Sequence, residues 1–230
     1  QMAELMHHVV DPAAFMFWRG SGWEITEAGE RNLSPTTEEG WATVEDGATI
    51  VADVLQLKAL ANLPVVDRVL YAVGYDRRQN QSMHEVYVAG LRNVLGALPK
   101  ETGRFIYISS TGVYGDSAGE WVDEDTPCLP QREGGRACLA AEEVLAAHPL
   151  GVSSVVLRLA GIYGPGRTPR KDLLLAGEPI PAPADGYLNL IHVDDAAAVV
   201  LAAQRAPTPR TYVVSDGHPA QRREYYLELA

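Results

Sequence analysis

The chain has 230 residues, 47% apolar and 21% charged, which fits one large domain, or one domain with a small appendage, around a sizeable core. Its net charge of −11 and pI near 5.0, with no basic run to track phosphates, argue against a nucleic-acid partner. It has neither an apolar stretch of the ~18 residues a spanning helix needs nor the charged-then-apolar opening of a secretory signal.

Residues 1–22 read QMAELMHHVVDPAAFMFWRGSG, with no glycine before Gly20. His7 and His8 are adjacent and cannot share a helix face, so they do not suggest a metal pair. Trp23–Thr26 has strand character. Gly29, Pro35, Gly40 and Gly47 spoil the periodicity of 27–47, expected to be a helix and loop. The run Ala48–Asp53 predicts a strand, and so does DRVLYAVGY at 67–75. Apolar residues at 83, 86, 87, 91, 94, 95 and 98 keep helical spacing and predict an amphipathic helix lying on a sheet.

RFIYISSTGVYG at 104–115 is the centre of the chain. Phe105 to Ile108 is apolar on both faces, as in a buried parallel strand. Ser109, Ser110 and Thr111 follow at once, which puts hydroxyls at the carboxyl edge of a sheet, where open α/β sheets bind ligands. A strand ending in an ordinary Ser/Gly turn accounts for these residues equally well. An acidic loop with Trp121 follows, ended by Pro127 and Pro130, and then an Ala/Leu/Glu helix over 136–147. Cys128 and Cys138 lack metal-site company, so no metal is expected, and a reduced, cytoplasmic protein is the default. Ser153–Leu159 is another buried strand, interrupted by Arg158. Residues 168–189 are loop-rich. Residues 195–204 predict a helix with Asp194 or Asp195 as N-cap. Tyr212–Ser215 predicts a last strand, and Arg222–Ala230 a helix. Strands alternating with helices at this spacing imply βαβ crossovers and a parallel sheet.

Ser-Ser-x-x-Val-Tyr-Gly after a strand resembles the active-site strand of the extended short-chain dehydrogenase/reductase superfamily, which includes the NAD-dependent epimerases and dehydratases. VVLRLAGIYGPGR at 155–167, LIHVDDAAAVVLAA at 190–203 and YVVSDGHPAQRREYY at 212–226 agree in order and spacing. The resemblance covers roughly residues 48–230. It implies a Rossmann-like doubly wound parallel sheet, an α/β fold with strand order 3-2-1-4-5-6-7. Residues 1–160 would form the dinucleotide-binding core, and 161–230 a small substrate-side region interleaved with the last strands. NAD or NADP is the implied cofactor and a small molecule the implied partner, with a homodimer as the admissible assembly and no membrane. Asp53 matches the residue beside the adenine end, although a turn or cap Asp is an equal reading. Ala72, Val73 and Gly74 resemble the small-residue turn that lets the cofactor approach the backbone. Ser109 and the loop Gly161, Ile162, Tyr163 fall beside the nicotinamide. Glu27, Glu30 and Arg31 point in opposite directions on NAD against NADP.

Two departures stand out. Residues 1–22 lack the strand and glycine-rich loop that should open such a sheet, and both ends read as incomplete. The superfamily's Tyr-x-x-x-Lys pair is also missing. With Glu142 aligned to the usual helix glutamate, its positions hold Gly134 and Cys138. The residues four before Lys58, Lys100 and Lys171 are Val54, Gly96 and Arg167, so no register supplies it. In this respect the chain resembles the atypical subgroup. The expectation is an NAD(P)-dependent oxidoreductase or nucleotide-sugar epimerase-like protein. Ser110 would orient a substrate carbonyl or hydroxyl, and Tyr114 or a water would carry the proton. A non-catalytic dinucleotide-binding or regulatory protein, or an inactive fragment, is the alternative.

Overall fold

The computed structural model describes residues 23–26, 29–32, 54–61, 63, 65–75, 80–165, 167–180 and 182–229. Asp53 and the expected strand Ala48–Asp53 lie outside the described residues, as does the opening segment 1–22. Strand β1 (Trp23–Thr26) pairs antiparallel with β2 (Gly29–Asn32). This corrects the expectation that a helix begins after Thr26. A stretch broken by glycine and proline has little to hold a helix, and a short connection between two strands favours antiparallel pairing.

The main sheet has four parallel strands, β3 (Arg68–Tyr71), β4 (Arg104–Ser110), β5 (Ser154–Leu159) and β9 (Arg210–Val214), in that order. All six residues of β5 are buried, as expected of a central parallel strand covered on both faces. Side-chain alternation sorts the residues. Phe105 and Tyr107 of β4 and Val156 of β5 face one way, onto α1 (Gly90–Ala97) and α2 (Glu133–Ala147). There they pack with Leu91, Val94, Leu95, Ala141 and Leu145. Ile106, Val155, Leu157 and Leu159 face the other way, with Ala196, Val200 and Ala203 of α4 (Val193–Ala203). Residues such as Leu91, Phe105 and Leu157 are fully buried, each worth roughly 1.5–3 kcal/mol of transfer free energy. α1 continues a π-helical stretch, Glu85–Ala89.

Two further strand pairs and two short helices lie outside the main sheet. Strand β6 (Gly161–Tyr163) pairs parallel with β8 (Leu190–His192), and β7 (Tyr187–Leu188) pairs antiparallel with β10 (Ala220–Gln221). Short helices α3 (Lys171–Leu175) and α5 (Arg222–Leu229) accompany them. α4 begins two residues earlier than its sequence suggests, so its cap is neither Asp194 nor Asp195. His192 Nδ1 accepts from the Asp194 N–H at 3.3 Å, and both aspartates fall in the first turn, where the helix dipole favours them.

Candidate functional site

The alternation along β4 gives its two terminal serines opposite surroundings. Ser109 shares the face of Phe105 and Tyr107, and Arg158 on β5 shares the face of Val156. Both therefore point towards α2, and Glu142 of α2 meets them. Ser109 Oγ donates to Glu142 Oε1 at 2.5 Å. Arg158 donates from Nε to Oε1 at 3.1 Å and to Oε2 at 3.3 Å, and from Nη2 to Oε2 at 2.7 Å. Arg158 is 7% and Glu142 9% exposed. A buried guanidinium needs such a partner. Its remaining nitrogen, Nη1, donates to the Tyr114 hydroxyl at 2.7 Å, and its carbon lies 5.0 Å from the Tyr114 ring centroid. Burial alone would lower the Arg158 pKa, but its hydrogen bonds to Glu142 and Tyr114 outweigh this and hold it above its ordinary value.

Ser110 ends β4 in extended conformation and caps a 3₁₀ turn, Thr111–Val113, its Oγ accepting from the Gly112 N–H at 3.1 Å. That bond uses a lone pair, so the hydroxyl proton stays available to a ligand at the half-buried carboxyl edge. Tyr114, which follows the turn, is only 5% exposed. Burial raises its pKa and the Arg158 hydrogen bond opposes that, with a net rise. Gly115 turns the chain at φ +76°, where a Cβ would lie 2.1 Å from the Leu129 carbonyl oxygen. A Cβ on Gly135 would lie 2.2 Å from the Gly112 carbonyl oxygen. Only a glycine lets the first turn of α2 rest this closely on the serine turn.

The structure brings Ser109, Ser110 and Tyr114 onto one strand end and the turn after it. Ala72, Val73 and Gly74 continue from the end of β3, the strand beside β4. Gly161, Ile162 and Tyr163 lie just past the end of β5, as β6. Tyr163 packs edge-on against His192 with ring centroids 5.3 Å apart, and the Ile162 carbonyl accepts from Arg167 Nε at 2.9 Å. Three neighbouring strands thus end in small residues: Ala72 and Gly74, Ser110, and Ala160 with Gly161. An edge this poor in bulk leaves room for a flat ring such as a nicotinamide. The acidic loop is tied to the same sheet, since Glu124 Oε1 accepts from the Val213 N–H of edge strand β9 at 2.9 Å. Among the described residues no helix is long and apolar enough to cross a membrane, and no group of three or more His, Cys, Asp or Glu is placed to hold a metal ion.

The sequence reading noted Arg158 and Glu142 without giving either a role. The signal was present: an arginine inside VVLRL cannot be buried alone, and the carboxylate most accessible to it comes from the preceding helix.

Residues 18–215 match the family model described as the NAD dependent epimerase/dehydratase family. Protein YeeZ of Escherichia coli strain K12 is 31% identical across 91% of this chain and 75% of its own length. A solved Methylobacillus flagellatus protein, classed with the NAD-dependent epimerase/dehydratases, is 33% identical with a TM-score of 0.64, covering 87% of this chain and 70% of that one. DesIV, a dTDP-glucose 4,6-dehydratase from Streptomyces venezuelae solved with NAD and TYD bound, has a TM-score of 0.65 at 23% identity, over 84% of this chain and 66% of its own, a likeness of fold. By the family match and the YeeZ relationship together, this chain belongs to the NAD dependent epimerase/dehydratase family.

Proposed function

We propose that the chain is an NAD(P)-dependent oxidoreductase or epimerase-like enzyme acting at the carboxyl edge of the four-stranded sheet, on a carbonyl or hydroxyl of a small molecule. The observation that carries this is Ser110, an available hydroxyl at the end of the central strand, held by its own turn above a buried ion pair. Ala72, Val73 and Gly74 on one side and Gly161, Ile162 and Tyr163 on the other would hold the nicotinamide end. Residues 161–230 would provide the substrate side. The dinucleotide, when bound, supplies or accepts hydride.

Ser110 Oγ donates to the substrate oxygen and fixes its orientation against the sheet edge. Ser109 serves at one remove: its hydroxyl is committed to Glu142, so it fixes the strand end rather than a ligand. Tyr114 does the same from the turn. Its hydroxyl accepts from Arg158 and keeps its own proton, but the side chain is buried away from the sheet edge, which favours a different group as proton carrier. A non-catalytic, dinucleotide-binding role draws its support from α2, which offers Gly134 and Cys138 where the superfamily pattern has tyrosine and lysine.

Titration with NADPH and NADH under thermal denaturation separates these. At 100 times its dissociation constant, a ligand of the folded state adds about 2.7 kcal/mol, a rise of roughly 5–11 °C for a chain of this size. A rise accompanied by turnover on a carbonyl panel, lowered about 100-fold or more by Ser110→Ala, supports the enzyme. A rise without turnover selects the binding role. No rise with either nucleotide removes both.

A further inference from the structure

Gln81 carries a side-chain oxygen that the fold leaves unanswered. Its Oε1 is shielded from solvent and has no hydrogen-bond partner among the described residues. Buried polar atoms are nearly always paired, because an orphan loses its bonds to water and gains nothing in return. The hydroxyls of Tyr71 and Thr102 share this state, but they belong to residues only 2% and 5% exposed, out of a ligand's reach. Gln81 is half-buried and borders solvent.

Local structure asks for a different residue at this position. Ser82 and Glu85 form a reciprocal helix cap: Glu85 Oε2 accepts from the Ser82 N–H at 2.7 Å, and Ser82 Oγ accepts from the Glu85 N–H at 3.1 Å. Gln81 therefore precedes the cap, where helices often carry an apolar residue that packs on the fourth helical position. That fourth position is Val86, 8% exposed. An apolar side chain at 81 would leave no orphan, so folding alone does not account for an amide there. The π-helical stretch Glu85–Ala89 follows within a turn, and such stretches collect at functional sites.

Gln81 is also fixed to the edge of the sheet. The hydroxyl of Tyr75, the residue that follows the small-residue turn at 72–74, donates to the Gln81 carbonyl at 3.0 Å. From the helix side, the Tyr87 phenol takes a hydrogen bond from the Tyr75 backbone. The turn and residue 81 are thus held together at the carboxyl end of β3, within the length of a tyrosine side chain. We infer that Gln81 is a dinucleotide-binding residue, its side-chain oxygen accepting from an N–H or O–H of the nucleotide laid along the turn at 72–74. This rests on dinucleotide binding, which both readings above share. The flexible side chain lets the oxygen swing from its shielded place to the ligand, where a missing hydrogen bond is replaced by a made one.

The test is Gln81→Leu in the full chain, titrated with whichever of NADPH and NADH raises the melting temperature, and with no substrate present. The expected result is a dissociation constant raised about 3- to 10-fold, the loss of one neutral hydrogen bond, while the melting temperature of the unliganded chain holds or rises. In ¹⁵N-labelled wild-type chain, the Gln81 side-chain amide resonances, assigned by their loss in Gln81→Leu, should shift when the nucleotide is added. An unchanged dissociation constant, or an amide whose resonances stay fixed, overturns this assignment alone. A fall in the melting temperature of unliganded Gln81→Leu also overturns it, because the amide would then be a structural group. A chain stabilised by neither nucleotide overturns the proposed function and this assignment with it.

Discussion

The Glu142–Arg158 pair permits a quantitative test of how the site is held. Glu142→Leu leaves the Arg158 guanidinium, 7% exposed, with Tyr114 and the Cys128 thiol but no charged partner, and it removes the acceptor of Ser109. Breaking a buried pair from one side costs about 3–5 kcal/mol, mostly as the penalty of an uncompensated charge. Arg158→Met leaves the carboxylate with Ser109 alone and should cost a similar amount. Additive effects would bring the double variant to roughly 6–10 kcal/mol, enough to unfold most domains. The structure predicts otherwise. With both charges gone, apolar side chains of like volume replace the pair at little net cost. What remains is two hydroxyls, Ser109 and Tyr114, without their partners, at about 1 kcal/mol each. The double variant should therefore lie near 2 kcal/mol, more stable than either single. In calorimetry each single change would lower the melting temperature by roughly 6–20 °C, and the double by roughly 4–8 °C. A double variant as damaged as the sum of the singles, within about 0.5 kcal/mol, would show that the two side chains do not depend on each other, and the account of the site's floor would fail.

Gly135→Ala should push the first turn of α2 off the serine turn, since its Cβ would meet the Gly112 carbonyl oxygen at 2.2 Å. We expect a loss of about 1–3 kcal/mol in urea denaturation, whereas Gly96→Ala, with nothing within 4 Å of its Cβ, should stabilise by a few tenths to 1 kcal/mol. Burial foremost, then Glu142, push the Cys138 thiol up to about 11. At pH 8 only on the order of one thiol in a thousand is thiolate, so alkylation by iodoacetamide should be slow there and rise about tenfold per pH unit up to about pH 11. A fast, pH-independent reaction at Cys138 would contradict the burial of that face of α2.

Much of this architecture was legible because it depends on local pattern. RFIYISS and SVVLRL read as strands because residues apolar on both faces suit little else, and α2 read as a helix from its Ala, Leu and Glu content. Boundaries moved where a side chain other than the usual one did the capping. His192 presents Nδ1 about where an asparagine would present its oxygen, so α4 starts at Val193 rather than at the aspartates. Glycine-rich spacing near residue 29 was compatible with several structures, and strand pairing decided the outcome.

The site was harder to read because its decisive contacts join residues far apart in sequence. Two adjacent serines look interchangeable in the string SST. The pleat makes them different: one step along the strand reverses the face, so Ser109 enters the core and Ser110 remains at the edge. Nothing local to residue 109 says that a carboxylate waits 33 positions later, yet the arginine in β5 does say that some carboxylate must. A charge set in a fully apolar strand has to be answered by another element, and a helix crossing that face is the element at hand. By the same logic, two small residues on a helix that packs closely must be answered by large ones opposite. Gly134 and Cys138 taken alone read as a loss of chemistry. Taken with Met83 and Tyr87, which pack on that side, they describe a helix face kept low to receive its neighbours, and that is a statement about packing that a single helix's sequence cannot contain.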